Sequence, residues 1–232
     1  MAFTGAGIST GSGIPDFRGP QGVWKKRSPV YYADFLASEA KRLEYWDYKL
    51  EGFPLFEAAR PNAAHDALVA LDRLGRLAAV VTQNIDGLHQ AAGLDDAKVI
   101  ELHGTNRLVE CVTCGERRDP AEPLAWFAAK RQVPRCPCGG FLKFATISFG
   151  QALRPEELQR AARAAGACDL VLALGSTLSV QPAASIPLIA LRRGVPYVVI
   201  NQGETDHDDL ATLRIEGDVV GVLPPAVRAL RE

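Results

Sequence analysis

Short apolar runs rich in β-branched residues recur along the chain, and helical patterns separate them. Leu77-Ala78-Ala79-Val80-Val81-Thr82, Leu170-Val171-Leu172-Ala173-Leu174 and Val195-Pro196-Tyr197-Val198-Val199-Ile200 are each too short for a typical helix and read as buried strands. Lys98-Val99-Ile100-Glu101-Leu102 is a weaker run of the same kind. Helical patterns fill residues 63–74, 155–165 and 182–193; in the first, Ala67, Leu68, Leu71 and Leu74 share one face. A short closing helix is expected over 224–232. Strands that are apolar on both faces must be covered on both, so the alternation predicts an α/β fold with an open parallel sheet built from βαβ units. A chain of 232 residues can bury such a core without disulfides.

Two segments interrupt the rhythm. Residues 21–60 are aromatic and charged, with helical stretches but no buried strand. Residues 106–143 hold four of the five cysteines, several prolines and one short helical piece at 123–131. Both read as inserts standing on one sheet. Lys and Arg number 26 against 27 Asp and Glu, a formal net charge of -1. That balance gives no support to a general nucleic-acid coat or a polybasic membrane binder. No apolar run approaches the ~20 residues that span a bilayer. Met1-Ala2-Phe3-Thr4 meets Gly5 at once, without the pattern of a signal peptide. The expected location is a reducing cytoplasm, where cysteines stay out of disulfides.

The run Thr4-Gly5-Ala6-Gly7-Ile8-Ser9-Thr10-Gly11-Ser12-Gly13 follows a short strand-like start. Its glycines permit a tight turn and a close backbone approach to a pyrophosphate; a plain glycine-rich turn is the alternative. It departs from the usual dinucleotide fingerprint, since Thr10 stands where the third glycine would be. No acidic residue about 20 positions on ends a second strand to hold a ribose. Next, Gly13-Ile14-Pro15-Asp16-Phe17-Arg18-Gly19 sets a carboxylate, a ring and a guanidinium in succession, a composition suited to a lid over a cofactor.

Cys111-x-x-Cys114 and Cys136-x-Cys138 lie 21 residues apart, and two thiolate pairs on two turns can close a tetrahedral zinc site. With no histidine or water position in the set, that zinc would be structural; a redox pair is the rival reading. Cys168 reads as a buried free thiol. At the end of the first strong strand, Thr82-Gln83-Asn84-Ile85-Asp86-Gly87-Leu88-His89 places amides and a carboxylate where parallel sheets bind ligands. A polar turn capped by Asp86 is the plainer alternative. His103 follows the next candidate strand and lies at the same edge, in a position for a base. His65 and His207 lack such a context, and His89 falls on the helix after the strand.

These motifs in this order resemble the sirtuins, over nearly the whole chain. The resemblance is carried by Gly5-Ala6-Gly7-Ile8-Ser9, the segment Gly13 to Gly19, Gln83 to His89, His103-Gly104, the four cysteines, Ser148-Phe149-Gly150, Gly175-Ser176-Thr177-Leu178-Ser179-Val180 and Asn201. It implies an NAD-dependent protein lysine deacylase. The Rossmann-like NAD-binding domain would comprise 1–20, 61–106 and 144–232. A helical module (21–60) and a zinc ribbon (107–143) would form the small domain.

Site roles follow by motif. Gly5, Ala6, Gly7 and Ser9 would meet the pyrophosphate, as would Gly175, Ser176 and Thr177 opposite. Ile14, Asp16, Phe17 and Arg18 would belong to the lid. Gln83 and Asn84 would hold the nicotinamide ribose, and Ile85 and Asp86 the carboxamide. Asn201, with Gln202 and Gly203, would bind the adenosine ribose, and Asp218 and Val219 would lie near the adenine. His103 would be the general base and Asn84 its catalytic companion. Cys111, Cys114, Cys136 and Cys138 would hold the zinc. An acyl-lysine peptide would add as a β-strand between Ser148-Phe149-Gly150 and the loop after Val180.

The implied chemistry releases nicotinamide, lets the acyl oxygen capture the oxocarbenium-like ribose carbon, and uses His103 to activate a ribose hydroxyl against the resulting imidate. Its products are deacylated lysine, nicotinamide and O-acyl-ADP-ribose. An NAD hydrolase or ADP-ribosyltransferase, and a non-catalytic NAD sensor, are the alternatives. Nucleic acid is not an expected partner of the ribbon. Its segment 107–143 carries seven basic against four acidic side chains, and four thiolates around Zn²⁺ add about -2.

The chain departs from the family pattern in its short first strand, in Gln151 where an acidic residue is usual, in the atypical Ala145-Thr146-Ile147-Ser148, and in the shortened Cys136-Pro137-Cys138 pair. Sirtuins that favour acidic acyl groups resemble one another in a Tyr-x-x-Arg pair. Here Tyr45 is followed by Tyr48 in the arginine place, with Lys49 adjacent, so a neutral acyl group is expected.

Overall fold

The computed structural model describes residues 1–15 and 28–230. In chain order its strands are β1 (Ala2–Thr4), β2 (Val80–Thr82), β3 (Val99–Glu101), β4 (Gly104–Cys111), β5 (Arg117–Arg118), β6 (Leu142–Thr146), β7 (Val171–Leu174), β8 (Tyr197–Asn201) and β9 (Leu213–Glu216). The helices are α1 (Tyr32–Ala37), α2 (Glu39–Ala58), α3 (Ala63–Arg73), α4 (Leu88–Ala91), α5 (Ala121–Lys130), α6 (Pro155–Ala167), α7 (Ile186–Leu191) and α8 (Val219–Ala229). Six strands form a parallel sheet in the order β3-β2-β1-β7-β8-β9. The chain winds outward from β1 in both directions, so the order reverses between β1 and β7, where open α/β sheets bind ligands.

Alternation along each strand builds two cores. Phe3, Val81, Ile100, Ala173, Tyr197 and Val199 face Ala161 and Ala165 of α6 and Ile186 and Ala190 of α7. Ala2, Val80, Val99, Leu174 and Ile200 face the other way, onto Ala64, Ala67, Leu68 and Leu71 of α3 and Val219, Leu223 and Val227 of α8. The expected α/β sheet and the four read strands are present. β9 was not read from the sequence, because Leu213-Arg214-Ile215-Glu216 is a half-exposed edge strand without a continuous apolar run.

Two helices need correction. The expected helix at 182–193 is a 3₁₀ turn over Ala183–Ser185 followed by α7, whose first turn holds Pro187; proline has no N–H to continue a longer ladder. The closing helix starts at Val219 rather than at Pro224, because the Asp218 carboxylate accepts from the Val220 N–H and caps it there. Pro224 and Pro225 sit inside, held by the burial of Val219, Leu223 and Val227.

The second sheet is antiparallel, in the order β5-β4-β6. Its face carries a third core, where Trp46 of α2 lies 5.8 Å from Phe127 of α5 and 5.6 Å from Phe144 of β6. The Trp46 indole N–H donates to the Leu142 carbonyl at 3.1 Å, tying the helical segment to the ribbon. At the other end of this sheet Gly104 pairs with Thr146 beside the large sheet. Gly104 has φ +70°, and a Cβ there would lie 2.0 Å from the Ala145 carbonyl oxygen, so only glycine fits after His103. No helix among the described residues is long and apolar enough to cross a membrane.

Candidate active site

A cavity of about 950 Å³ opens beyond the carboxyl ends of β1, β2, β7 and β8 and runs under α2. Two glycine loops form one wall, Gly5-Ala6-Gly7 after β1 and Gly175-Ser176-Thr177 after β7. The Gly7 N–H donates to the Gly175 carbonyl at 2.8 Å. Gly175 has φ +63°, and a Cβ on it would meet the Ile8 nitrogen at 2.4 Å, so the two loops touch only because neither carries a side chain there.

The end of β2 supplies the polar wall. Both amide hydrogens of Asn84 are engaged, one to the Gly5 carbonyl and one to Ser9 Oγ, each at 3.1 Å. What the Asn84 side chain retains for a ligand is its carbonyl oxygen, an acceptor for hydroxyls. Gln83 donates from Nε2 to Ser176 Oγ at 2.8 Å, bridging the two halves of the sheet. His103 Nδ1 lies 3.0 Å from the Gln83 carbonyl. A carbonyl only accepts, so Nδ1 carries the proton and Nε2 holds the lone pair, the tautomer a base needs.

Of the residues expected from sequence, Gly5, Ala6, Gly7, Gln83, Asn84, Ile85, His103, Ser148, Phe149, Gly150, Gly175, Ser176, Thr177, Val180, Asn201, Gln202, Gly203, Asp218 and Val219 all line this one cavity. Ser9, Ile14 and Asp86 do not. Ser9 is buried behind Asn84 and donates to Asp86 Oδ2 at 2.7 Å, while Asp86 Oδ1 caps α4 at the Leu88 N–H. Burial holds the Asp86 carboxyl above its ordinary range despite these bonds. Ile14 is buried. Asp16, Phe17 and Arg18 lie outside the described residues.

The four cysteines converge at the tip of the antiparallel sheet, with all four sulfurs within 4.8 Å of one another. Three Sγ–Sγ distances are 3.5, 3.5 and 3.7 Å. A zinc ion with Zn–S bonds of about 2.3 Å needs tetrahedral edges of about 3.8 Å, so the donor set fits that ion. No disulfide competes, and Cys168 is a separate buried thiol.

Comparison with known proteins identifies the architecture. Residues 5–182 match the Sir2 family model. The chain belongs to the Sir2 family. An NAD-dependent protein deacetylase 1 of Bradyrhizobium diazoefficiens is 45% identical over 231 residues, covering 98% of this chain and 89% of that protein. A Sir2 variant solved with deacetylated p53 peptide and 3′-O-acetyl-ADP-ribose is 41% identical at a TM-score of 0.89, covering 98% of this chain and 92% of that one. A Sir2–p53 peptide–NAD⁺ complex is 38% identical at a TM-score of 0.88, covering 99% and 92%.

This Sir2-family cavity also has a wall of which the sequence pointed only to Tyr45, Tyr48 and Lys49, through the acyl-group comparison. Tyr45, Tyr48, Lys49, Gly52, Phe53 and Phe56 line it from α2, at spacings of three and four that mark one helical face. Lys49 Nζ donates to Asn106 Oδ1 at 2.7 Å and lies 4.8 Å from the Phe144 ring centre. Burial, reinforced by the like charge of Lys143, pushes the Lys49 ammonium down to about 7. The helical spacing of aromatics was the available signal; the pairing with Asn106 on β4 is tertiary.

Proposed function

We propose that this sirtuin is an NAD-dependent protein lysine deacetylase, yielding nicotinamide, O-acyl-ADP-ribose and the free lysine. The observation that carries the reading is the convergence of His103, in its Nδ1-protonated tautomer, with Asn84 and two facing glycine loops in one cavity. The glycine loops bring backbone and the Ser176 and Thr177 hydroxyls to the pyrophosphate of NAD. Asn84 accepts from the nicotinamide ribose through Oδ1, and Gln83 stands beside it, held by Ser176. Asp86, tied to Ser9, orients the turn that grips the carboxamide. Asn201 at the end of β8 and Asp218 at the start of α8 flank the adenosine half.

Bound NAD supplies the ribose that accepts the acyl group, with nicotinamide as leaving group. His103 takes a proton from a ribose hydroxyl at Nε2, and its bond to the Gln83 carbonyl steadies the imidazolium that results. The zinc fits a structural role, remote from these steps. The acyl-lysine segment of a protein adds as a strand between 148–150 and the loop after Val180, both on the cavity rim. Residues 1–20, 61–106 and 144–232 form the NAD-binding unit, with 21–60 and 107–143 the small domain. Four thiolates kept for a metal suit a reducing cytoplasm.

Incubation with NAD and an acetyl-lysine peptide tests the reading. Coupled loss of both substrates is expected. Loss of NAD alone means a hydrolase, and loss of neither overturns the assignment.

A further inference from the structure

The hydrogen-bond ladder between β1 and β2 ends where the Gln83 N–H donates to the Thr4 carbonyl at 2.9 Å. Asn84 is the first residue beyond it, and its N–H has a side-chain partner, Thr82 Oγ1, at 3.0 Å. Thr82 Oγ1 in turn receives the Thr4 hydroxyl at 2.8 Å. Thr4 and Thr82 are register partners, so this bond crosses the strand pair at its carboxyl edge. A threonine hydroxyl has one hydrogen, and Thr4 gives its own to Thr82. The contact of 2.9 Å between Thr4 Oγ1 and His89 Nε2 must therefore be donated by the imidazole. All three groups, His89, Thr4 and Thr82, are buried.

We propose that His89 is a positioning residue for the NAD-cleaving step: its Nε2–H, relayed through the hydroxyls of Thr4 and Thr82, fixes the backbone of Asn84 and thereby the direction of that side chain. The inference rests on the role given to Asn84 above. Packing alone does not account for the arrangement, since each hydroxyl is oriented by the donor before it. Without a donor at His89 the Thr4 hydroxyl has no reason to keep its hydrogen toward Thr82. Burial keeps the imidazole neutral, with its pKa pushed down to about 3, so it can hold one tautomer at any working pH. His65 lies behind it at 5.0 Å between ring centres, its Nδ1 accepting from the Asn62 N–H. That leaves Nε2 of His65 as a donor and Nδ1 of His89 as an acceptor, both buried and without a partner among the described residues. Their complementary polarity matches the tautomer assigned to His89.

Two isosteric pairs test the relay. Thr4→Val and His89→Leu remove the hydroxyl or the donor, while Thr4→Ser and His89→Gln keep them. In ¹⁵N-labelled protein without NAD, the first two should move the Asn84 backbone amide resonance and the second two should leave it in place. With NAD and peptide, Thr4→Val and His89→Leu should slow nicotinamide exchange about tenfold, the scale of one hydrogen bond, at unchanged peptide KM. Thr4→Ser and His89→Gln should stay within about threefold. An unmoved Asn84 amide in folded Thr4→Val overturns the relay, as does a His89→Gln protein as slow as His89→Leu. Wild-type protein that fails to consume NAD would instead sink the functional reading, while the amide resonance still decides the relay.

Discussion

Lowering the pH from 7.5 to 5.0 should strip this protein of stability through two buried histidines, His65 and His89, neither of which exchanges a proton with a substrate. Burial pushes His65 down to about 4 and His89 down to about 3, the latter also opposed by the charge of His65. In the unfolded chain both return to about 6.5. Below that value the unfolded state binds protons the folded state refuses, so stability present above pH 6.5 is lost as the pH falls towards the folded values. At pH 5.0 each imidazole contributes a loss of about 2 kcal/mol, and the pair about 4 kcal/mol. Against a typical total of about 5–15 kcal/mol this is a large fraction. Urea denaturation at the two pH values should show the midpoint falling by about 1–2 M. Other buried groups, His207 among them, add to the slope, so the decisive comparison is with His89→Gln. That variant should lose about 2 kcal/mol less than wild type between pH 7.5 and 5.0. An identical acid loss in both proteins refutes the reasoning.

Three further outcomes are expected. His103→Ala should lose about 10²–10⁴-fold in net deacetylation yet still exchange labelled nicotinamide into NAD, whereas Asn84→Ala and Asp86→Ala should lose exchange too; an exchange rate that falls as far as turnover in His103→Ala removes the late base. Purified protein should hold one zinc, and Cys114→Ser should release it and unfold the sheet under Trp46, read by tryptophan emission; under half an equivalent of metal in the native protein counts against the site. Acetyl-lysine peptide should be preferred to succinyl-lysine, because Lys49 is already bonded to Asn106 and driven towards its neutral form; a higher kcat/KM on succinyl-lysine reverses this.

Chemistry concentrated at strand ends was legible in the sequence, because apolar runs announce the strands and the residues after them can only face the carboxyl edge. Asn84, His103 and the glycine loop after β1 were found in this way, the loop Gly175-Ser176-Thr177 came only from the family resemblance, and the cysteine spacing announced their cluster. Side-chain direction within a loop was not legible. Ser9 belongs to the glycine loop yet turns away to bond Asn84 and Asp86. His65 had no local context because its neighbour, His89, comes from another helix and meets it only in the core. Lys49 and Asn106 are 57 positions apart and are joined by the packing of α2 on the small sheet. The start of α8 was hidden by two prolines, which mark helix beginnings more often than interiors.

The three residues of β1 join β2 on one side to β7 on the other, and among the described residues no other strand connects these two halves of the sheet. During synthesis β1 can pair with Val80–Thr82 early, but its second edge waits for Val171–Leu174, roughly 90 residues later, or about 5–20 s at typical translation rates. For that interval an open central edge is exposed on a nascent chain, the kind of template on which sheets aggregate. A strand of only three residues is a poor template, since intermolecular pairing favours segments of about six or seven. The antiparallel ribbon, made wholly of residues between 104 and 146, can close on its metal meanwhile. The brevity of β1 thus acts as protection for the newborn chain, and the nucleotide-facing wall of the cavity is the last part of the fold to be completed.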